Sequence, residues 1–138
     1  MNAVIYTDGA SRGNPGHAGI GAVITCGEKE FEISEYIGQT TNNVAEYKAL
    51  IAALKKARAV KDSDGIDITD IEIMLDSELV ERQLKGMYKV KMPHLQVLYN
   101  EVKGLLSGFK SYKVRHVLRH HNAKADCLAN KALNKRAG

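Results

Sequence analysis

Apolar residues follow two different periods along this chain. "AVIYT" (Ala3–Thr7) is a short, nearly unbroken apolar run, the pattern of a strand buried on both faces. "GIGAVIT" (Gly19–Thr25) reads as a second strand, and "CGEK" after it as a turn. "EFEISEYI" (Glu30–Ile37) partly alternates, with Phe31 and Ile33 set between Glu30, Glu32 and Ser34, which suits an outer strand with one wet face. These three segments predict an antiparallel meander. The period then changes. Val44, Tyr47, Ile51 and Leu54 recur at helical spacing, while Lys48, Lys55 and Lys56 lie off the stripe. Asn42 and Asn43 mark the start of that helix as N-cap residues.

The pattern alternates again in the second half. "DIEIML" (Asp70–Leu75) is a fourth strand, and "SELVERQLKG" is a short helix ended by Gly86. Pro93 suits a helix first turn, and Leu95, Leu98, Val102, Leu105 and Leu106 form its apolar stripe. "YKVRHVL" (Tyr112–Leu118) is a fifth strand, and "NAKADCLANKALNKR" is a closing helix with Asn122 as its N-cap. The order is βββαβααβα. Strands joined through helices can run parallel, and those joined by hairpins run antiparallel. The prediction is an α/β fold: one mixed five-stranded sheet with helices on its faces.

Composition narrows the class. The chain has 138 residues, 44% of them hydrophobic, enough for a single domain with a real core. It has no apolar run of membrane-spanning length and no leader pattern, so no membrane contact and a cytoplasmic location are expected. Cys26 and Cys127 match no metal-binding spacing and read as reduced thiols. The net charge of +4 is uneven: from Lys110 onward there are eight Lys or Arg and one acid, Asp126. Such asymmetry points to a polyanionic partner, although a solvated basic helix has the same composition.

One stretch stands apart, "YTDGASRGNPGHAGIGAV" (Tyr6–Val23), with the lone acid Asp8 followed by Gly9, Gly13, Gly16, Gly19 and Gly21. A dinucleotide-binding glycine motif must open a helix, whereas here a strand follows. No phosphate-loop motif is present either. Two readings remain: a bare tight turn, and a carboxylate at a strand end beside a surface that a polymer backbone approaches closely.

Asp8 and Asp76 both fall at the C-terminal ends of predicted strands, where open α/β sheets bind their ligands. Neighbouring strands lie about 4.8 Å apart. Two carboxylates so placed repel unless a proton or a cation joins them. Glu46 lies in the first turn of the first helix and Asp126 near the start of the last. Each acid alone has an ordinary explanation: Asn43 and Glu46 approximate a capping box, Asp76 can cap a helix, Asp126 can complement a helix dipole, and Asp8 can brace a turn. Together at one edge they would form an all-oxygen site suited to Mg²⁺ or Mn²⁺, and no Cys and His set for zinc is present.

In their flanking sequences these acids resemble type 1 ribonuclease H. The matching stretches are "YTDGASRGNPG", "TTNNVAEYKAL", "MLDSELV" and "HNAKADCLAN", spread over nearly the whole chain. The resemblance implies a ribonuclease H-like fold, with residues 1–138 as a single catalytic domain that hydrolyses the RNA strand of RNA–DNA hybrids. It implies cuts that leave 5′-phosphate and 3′-hydroxyl ends. It implies two Mg²⁺ ions, replaceable by Mn²⁺, held by Asp8, Glu46, Asp76 and Asp126. Asp8 would bridge both ions, Glu46 and Asp76 would support the ion near the leaving 3′ oxygen, and Asp126 the ion that activates water. Gly9, Ser11, Asn14, Asn42 and Glu78 match positions beside the minor groove, where the 2′-hydroxyl tells RNA from DNA. Thr41 and Asn43 match positions that hold a phosphate of the DNA strand; Asn14 and Asn43 can equally be turn and cap residues.

Two departures from the family are visible. The long basic protrusion that many relatives carry is reduced here to "KGMYKVKMPH", which predicts weaker binding or a larger share for the basic tail. Many relatives also place a histidine in a long loop before the last acid. Here "RHHNAKAD" leaves almost no loop, and His120 or His121 is either an auxiliary catalytic group or a packing residue. A monomer with no small-molecule cofactor and no separate hybrid-binding domain is expected. The alternatives are a non-catalytic nucleic-acid binding module and a related metal nuclease of the same fold.

Overall fold

The computed structural model describes residues 1–137, with side chains described to Lys135. Five strands form one sheet in the order β3-β2-β1-β4-β5. They are β1 (Asn2–Gly13), β2 (Gly16–Cys26), β3 (Lys29–Thr40), β4 (Asp70–Leu75) and β5 (Ser111–His116). The helices are α1 (Asn42–Asp64), α2 (Glu78–Leu84), α3 (Pro93–Leu106) and α4 (Ala123–Ala137). A short 3₁₀ turn, Arg119–Asn122, leads into α4. The predicted order and the mixed sheet are both observed: β1 runs antiparallel to β2 and parallel to β4, and β4 parallel to β5.

The first three strands are longer than their apolar runs. β1 does not stop at Thr7; it continues through Asp8 and Gly9 to Gly13, paired with β2 the whole way. Its parallel pairing with β4, however, ends at Thr7 opposite Leu75. Asp8 is therefore the first residue beyond the parallel edge, although it lies within a strand. Continued hairpin pairing satisfies the backbone groups that a loop would have left to water. The glycine-rich stretch is thus two facing strands closed by a turn at Asn14–Pro15, whose peptide is cis.

The glycines have a packing role that the sequence reading did not assign. A Cβ on Gly9 would overlap the Ala45 carbonyl of α1, and one on Gly21 the Ala125 carbonyl of α4. Gly21 sits opposite Asp8 in the ladder, so α1 and α4 approach the sheet on opposite faces. Close seating of both helices brings Glu46 and Asp126 to the same edge.

The core lies between the sheet and α1 to α3. Ile5, Ile24, Tyr47, Leu50, Leu54, Ile73 and Leu75 are fully buried there. Burial of each such side chain contributes about 1.5–3 kcal/mol before entropy is counted. The Tyr47 hydroxyl donates to Gln83 Oε1 at 2.6 Å, which satisfies two buried polar groups and fastens α1 to α2. Pro93 opens α3 as predicted.

The helix caps differ from expectation. Thr41, not Asn42 or Asn43, caps α1, its hydroxyl accepting from the Val44 amide at 3.3 Å. Ser77, not Asp76, caps α2, accepting from Val80 at 3.2 Å. Asn122 ends the 3₁₀ turn, and its side chain turns back to the sheet.

Candidate active site

Three carboxylates from three elements converge where β1 and β4 part. Oxygens of Asp8, Glu46 and Asp76 all lie within 4.8 Å of one another. Asp8 and Glu46 are buried, and Asp76 is half-buried. The strand register places Asp8 and Asp76 side by side, each one residue past the Thr7–Leu75 pair. Glu46 is held by its Oε1, which accepts from the Gly9 amide at 3.1 Å. It therefore makes no capping box with Asn43.

Asp126, in the first turn of α4, lies outside this trio but bears on Asp8, helping to raise its carboxyl. Asn130 Nδ2 donates to Asp126 Oδ1 at 3.3 Å and to its carbonyl at 3.0 Å. Asp8, Glu46 and Asp76 thus form the cluster, and Asp126 bears on its central member, Asp8.

The electrostatics follow from that crowding. Burial first, then the neighbouring Glu46, Asp126 and Asp76 carboxylates, raises the Asp8 carboxyl far above the ordinary range. Burial also raises Glu46, opposed by hydrogen bonds from Asp8 and the Gly9 amide and by the charge of Arg119. Asp8 Oδ2 is sealed from solvent with no hydrogen-bond partner. An unpaired buried oxygen among three other acids is what a hard divalent cation would satisfy. The donor set fits such an ion: all ligands are oxygen and all are anionic.

The remaining predicted residues fall into three groups. Ser11, Asn14 and Asn42 knit the β1–β2 turn to the start of α1: the Ser11 amide donates to Asn42 Oδ1 at 3.1 Å, and the Asn42 amide to Asn14 Oδ1 at 3.0 Å. The Ser11 hydroxyl also donates to the Thr40 carbonyl at 3.1 Å and to that of Gly13. Thr41 and Asn43 stand at the N-terminus of α1, Thr41 as its cap. Glu78, in the first turn of α2, accepts from Arg82 Nη2 at 2.6 Å.

His120 and His121 are exposed on the 3₁₀ turn, with ring centroids 4.1 Å apart, and neither belongs to the carboxylate trio. Two residues were missed by the sequence reading. Arg119 bears electrostatically on Glu46, and Asn122 bonds Asp76. The one available signal was spacing, since Asn122 stands four residues before Asp126 and can share a side with it.

Fold and site together define an RNase H-like domain, and comparison with known proteins agrees. Residues 6–132 match the family described as reverse transcriptase-like. Ribonuclease HI of Halobacterium salinarum is 46% identical over 131 residues, which cover 94% of this chain and 63% of that protein. The bifunctional protein Rv2228c of Mycobacterium tuberculosis is 42% identical over 137 residues, 97% of this chain and 36% of its own length. The chain therefore spans about two thirds or less of these relatives. Among solved structures, LC11-RNase H1 in complex with an RNA/DNA hybrid superposes with a TM-score of 0.88 at 42% identity, covering 99% of both chains. The chain belongs to the type 1 ribonuclease H family.

Proposed function

We propose that this chain is a metal-dependent endonuclease that hydrolyses the RNA strand of RNA–DNA hybrids, leaving 5′-phosphate and 3′-hydroxyl ends. The observation that carries this reading is the convergence of Asp8, Glu46 and Asp76 within 4.8 Å, around a buried Asp8 oxygen that has no partner. The hybrid bound in the LC11-RNase H1 structure supports the substrate class.

Asp8, Glu46, Asp76 and Asp126 would hold two Mg²⁺ ions, with Mn²⁺ able to replace them. Bound there, the ions would neutralise charge on the phosphate and lower the proton affinity of water. In the reaction a water oxygen bonds to phosphorus, the bond to the 3′ oxygen breaks, and that oxygen takes up a proton. The protein's part is to hold its carboxylates rigid beforehand: Glu46 through the Gly9 amide, Asp76 through Asn122. By the family resemblance, Asn14, Asn42, Glu78 and the Gly9–Ser11 backbone would read the RNA sugars, and Thr41 and Asn43 would hold a phosphate of the DNA strand. Residues 1–138 would act as one catalytic domain and a monomer. The free thiols, Cys26 buried and Cys127 exposed, suit a reducing cytoplasm.

The test is cleavage of a labelled RNA strand, alone or paired with DNA or RNA, in Mg²⁺, Mn²⁺ or chelator, beside Asp76→Asn. Metal-dependent internal cuts confined to the hybrid, and lost in the variant with binding retained, are expected. Binding without cutting under any metal would leave a nucleic-acid binding module instead.

A further inference from the structure

Asn122 is the uncharged side chain set among the acids, and it is 1% exposed. Its Nδ2 donates to the Thr7 carbonyl at 2.8 Å and to Asp76 Oδ2 at 3.2 Å. Both partners are pure acceptors, a backbone carbonyl and a carboxylate. The amide orientation is therefore dictated by chemistry, because the oxygen could bond neither. With Nδ2 committed on one side, Oδ1 is forced to the other, where it is buried without a partner. A buried acceptor left unpaired is unfavourable. That it is tolerated here indicates that the two donated bonds matter.

Those two bonds have a specific effect. Thr7 is the last β1 residue paired with β4, and Asp8 follows it. Asp76 follows β4, and among the described residues no other side chain bonds its carboxylate. One amide group therefore fixes Asp76 to the last residue of β1 that pairs with β4, next to Asp8, leaving Asp76 Oδ1 for another ligand. An aspartate of the same size would present acceptors to acceptors and add a fifth negative charge.

We propose that Asn122 is a positioning residue for the metal site: it orients the Asp76 carboxylate against Asp8 so that both meet a divalent cation in one geometry. This rests on the metal-nuclease reading above. Residues that orient a metal ligand typically change affinity or activity by about 10–100-fold when removed.

The test uses the full chain as Asn122→Ala and as the isosteric Asn122→Asp. Mn²⁺ binding is measured by calorimetry without nucleic acid, and kcat and KM on an RNA–DNA hybrid separately. For Asn122→Ala the half-saturating Mn²⁺ concentration should rise about tenfold. In both variants kcat should fall by a similar factor, with KM for the hybrid within about twofold. Asn122→Asp should lose kcat despite its added negative charge, which by attraction alone would favour the cation. A residue needed only for folding would lower the melting temperature and leave the Mn²⁺ isotherm and kcat of the folded variants within twofold of the parent; that result overturns the proposal while the nuclease reading stands. Failure of both variants to fold also overturns it, since Asn122 would then be structural. A parent that neither binds Mn²⁺ nor cleaves would overturn both readings together.

Discussion

The Gly9 amide donates to Glu46 Oε1 at 3.1 Å, and the same glycine lets the Ala45 carbonyl lie against β1. Position 9 thus does two things for one carboxylate: it makes room for the first turn of α1, and it supplies the hydrogen bond that aims Glu46. A methyl group at position 9 meets backbone, which no rotamer change relieves. Gly9→Ala should therefore destabilise the fold by about 1–3 kcal/mol, the usual range for overpacking, and lower hybrid cleavage at least about tenfold by shifting Glu46. Urea unfolding and single-turnover rates on the same samples measure both. Unchanged stability would show that α1 can lift from β1 freely, contrary to the contact seen.

The crowded acids predict a pH dependence of stability with a definite sign. A carboxyl whose pKa is raised by folding keeps its proton in the native state where the unfolded chain has lost it, so stability falls as pH rises from about 4 upward. Asp8 and Glu46 are both raised, each chiefly by burial. Without metal, the protein should lose stability from about pH 4 through neutral pH, beyond the trend of the rest of the chain. Asp8→Asn should flatten that loss and stabilise the metal-free protein by about 1–3 kcal/mol near pH 8, while cleavage disappears. Added Mg²⁺ should raise the melting temperature more at pH 8 than at pH 6, because the ion binds carboxylates and not carboxylic acids. Thermal melts with and without chelator across that range check all three outcomes. An Asp8→Asn protein that melts below the parent at every pH would contradict the electrostatic argument.

The sequence was most legible where a residue's role depends on its own element. The strand and helix order followed from periodicity, and Asp76 and Asp126 could be placed because one follows β4 and the other opens α4, whereas Asp8 lies inside β1 where β4 leaves it and Glu46 lies just past the first turn of α1. It was least legible where a role depends on what another element brings. Gly9 looked like a turn glycine and Gly21 like an ordinary strand residue, because nothing local records that Ala45 and Ala125 press on them from opposite faces. Asn122 looked like a cap, because its partners, Thr7 and Asp76, are 115 and 46 residues away in sequence. Thr41 displaced Asn42 as the cap for a similar reason: the Asn42 side chain is taken by the Ser11 amide across the β1–β2 turn.

That exchange between Asn14, Asn42 and Ser11 allows structural and substrate roles to be separated. Asn14 accepts from the Asn42 amide through Oδ1. Asn14→Asp keeps an oxygen there and removes the NH₂ donor. The melting temperature should stay within about 1 °C of the parent, as for a surface change that breaks no bond. If the amide reads the 2′-hydroxyl of the RNA strand, KM for the hybrid should rise about tenfold, the worth of one lost hydrogen bond of about 1.4 kcal/mol. Steady-state kinetics beside a melt decide the matter. An unchanged KM would assign Asn14 to the turn alone.

The basic tail is less available to a polyanion than its composition implies. Lys124 Nζ lies 2.7 Å from Glu30 and 3.1 Å from Glu32, and Arg115 lies 2.7 Å from Glu72. In the short segment that stands where relatives carry a basic protrusion, Lys85 is paired with Glu81 at 2.8 Å, and Lys89 and Lys91 are exposed. Phosphate contacts release counterions, so hybrid affinity should fall linearly on a log–log plot against salt, with a slope set by the number of engaged cations. Lys124→Ala should leave that slope unchanged and alter stability by less than about 1 kcal/mol, as expected for an exposed ion pair. Replacing Lys89 and Lys91 together by alanine should reduce the slope by about 1–2. Binding of a catalytically dead Asp76→Asn background to a labelled hybrid between about 50 and 200 mM salt gives both slopes. The reverse ranking would mean that the hybrid displaces Glu30 and Glu32 from Lys124 and lies along α4.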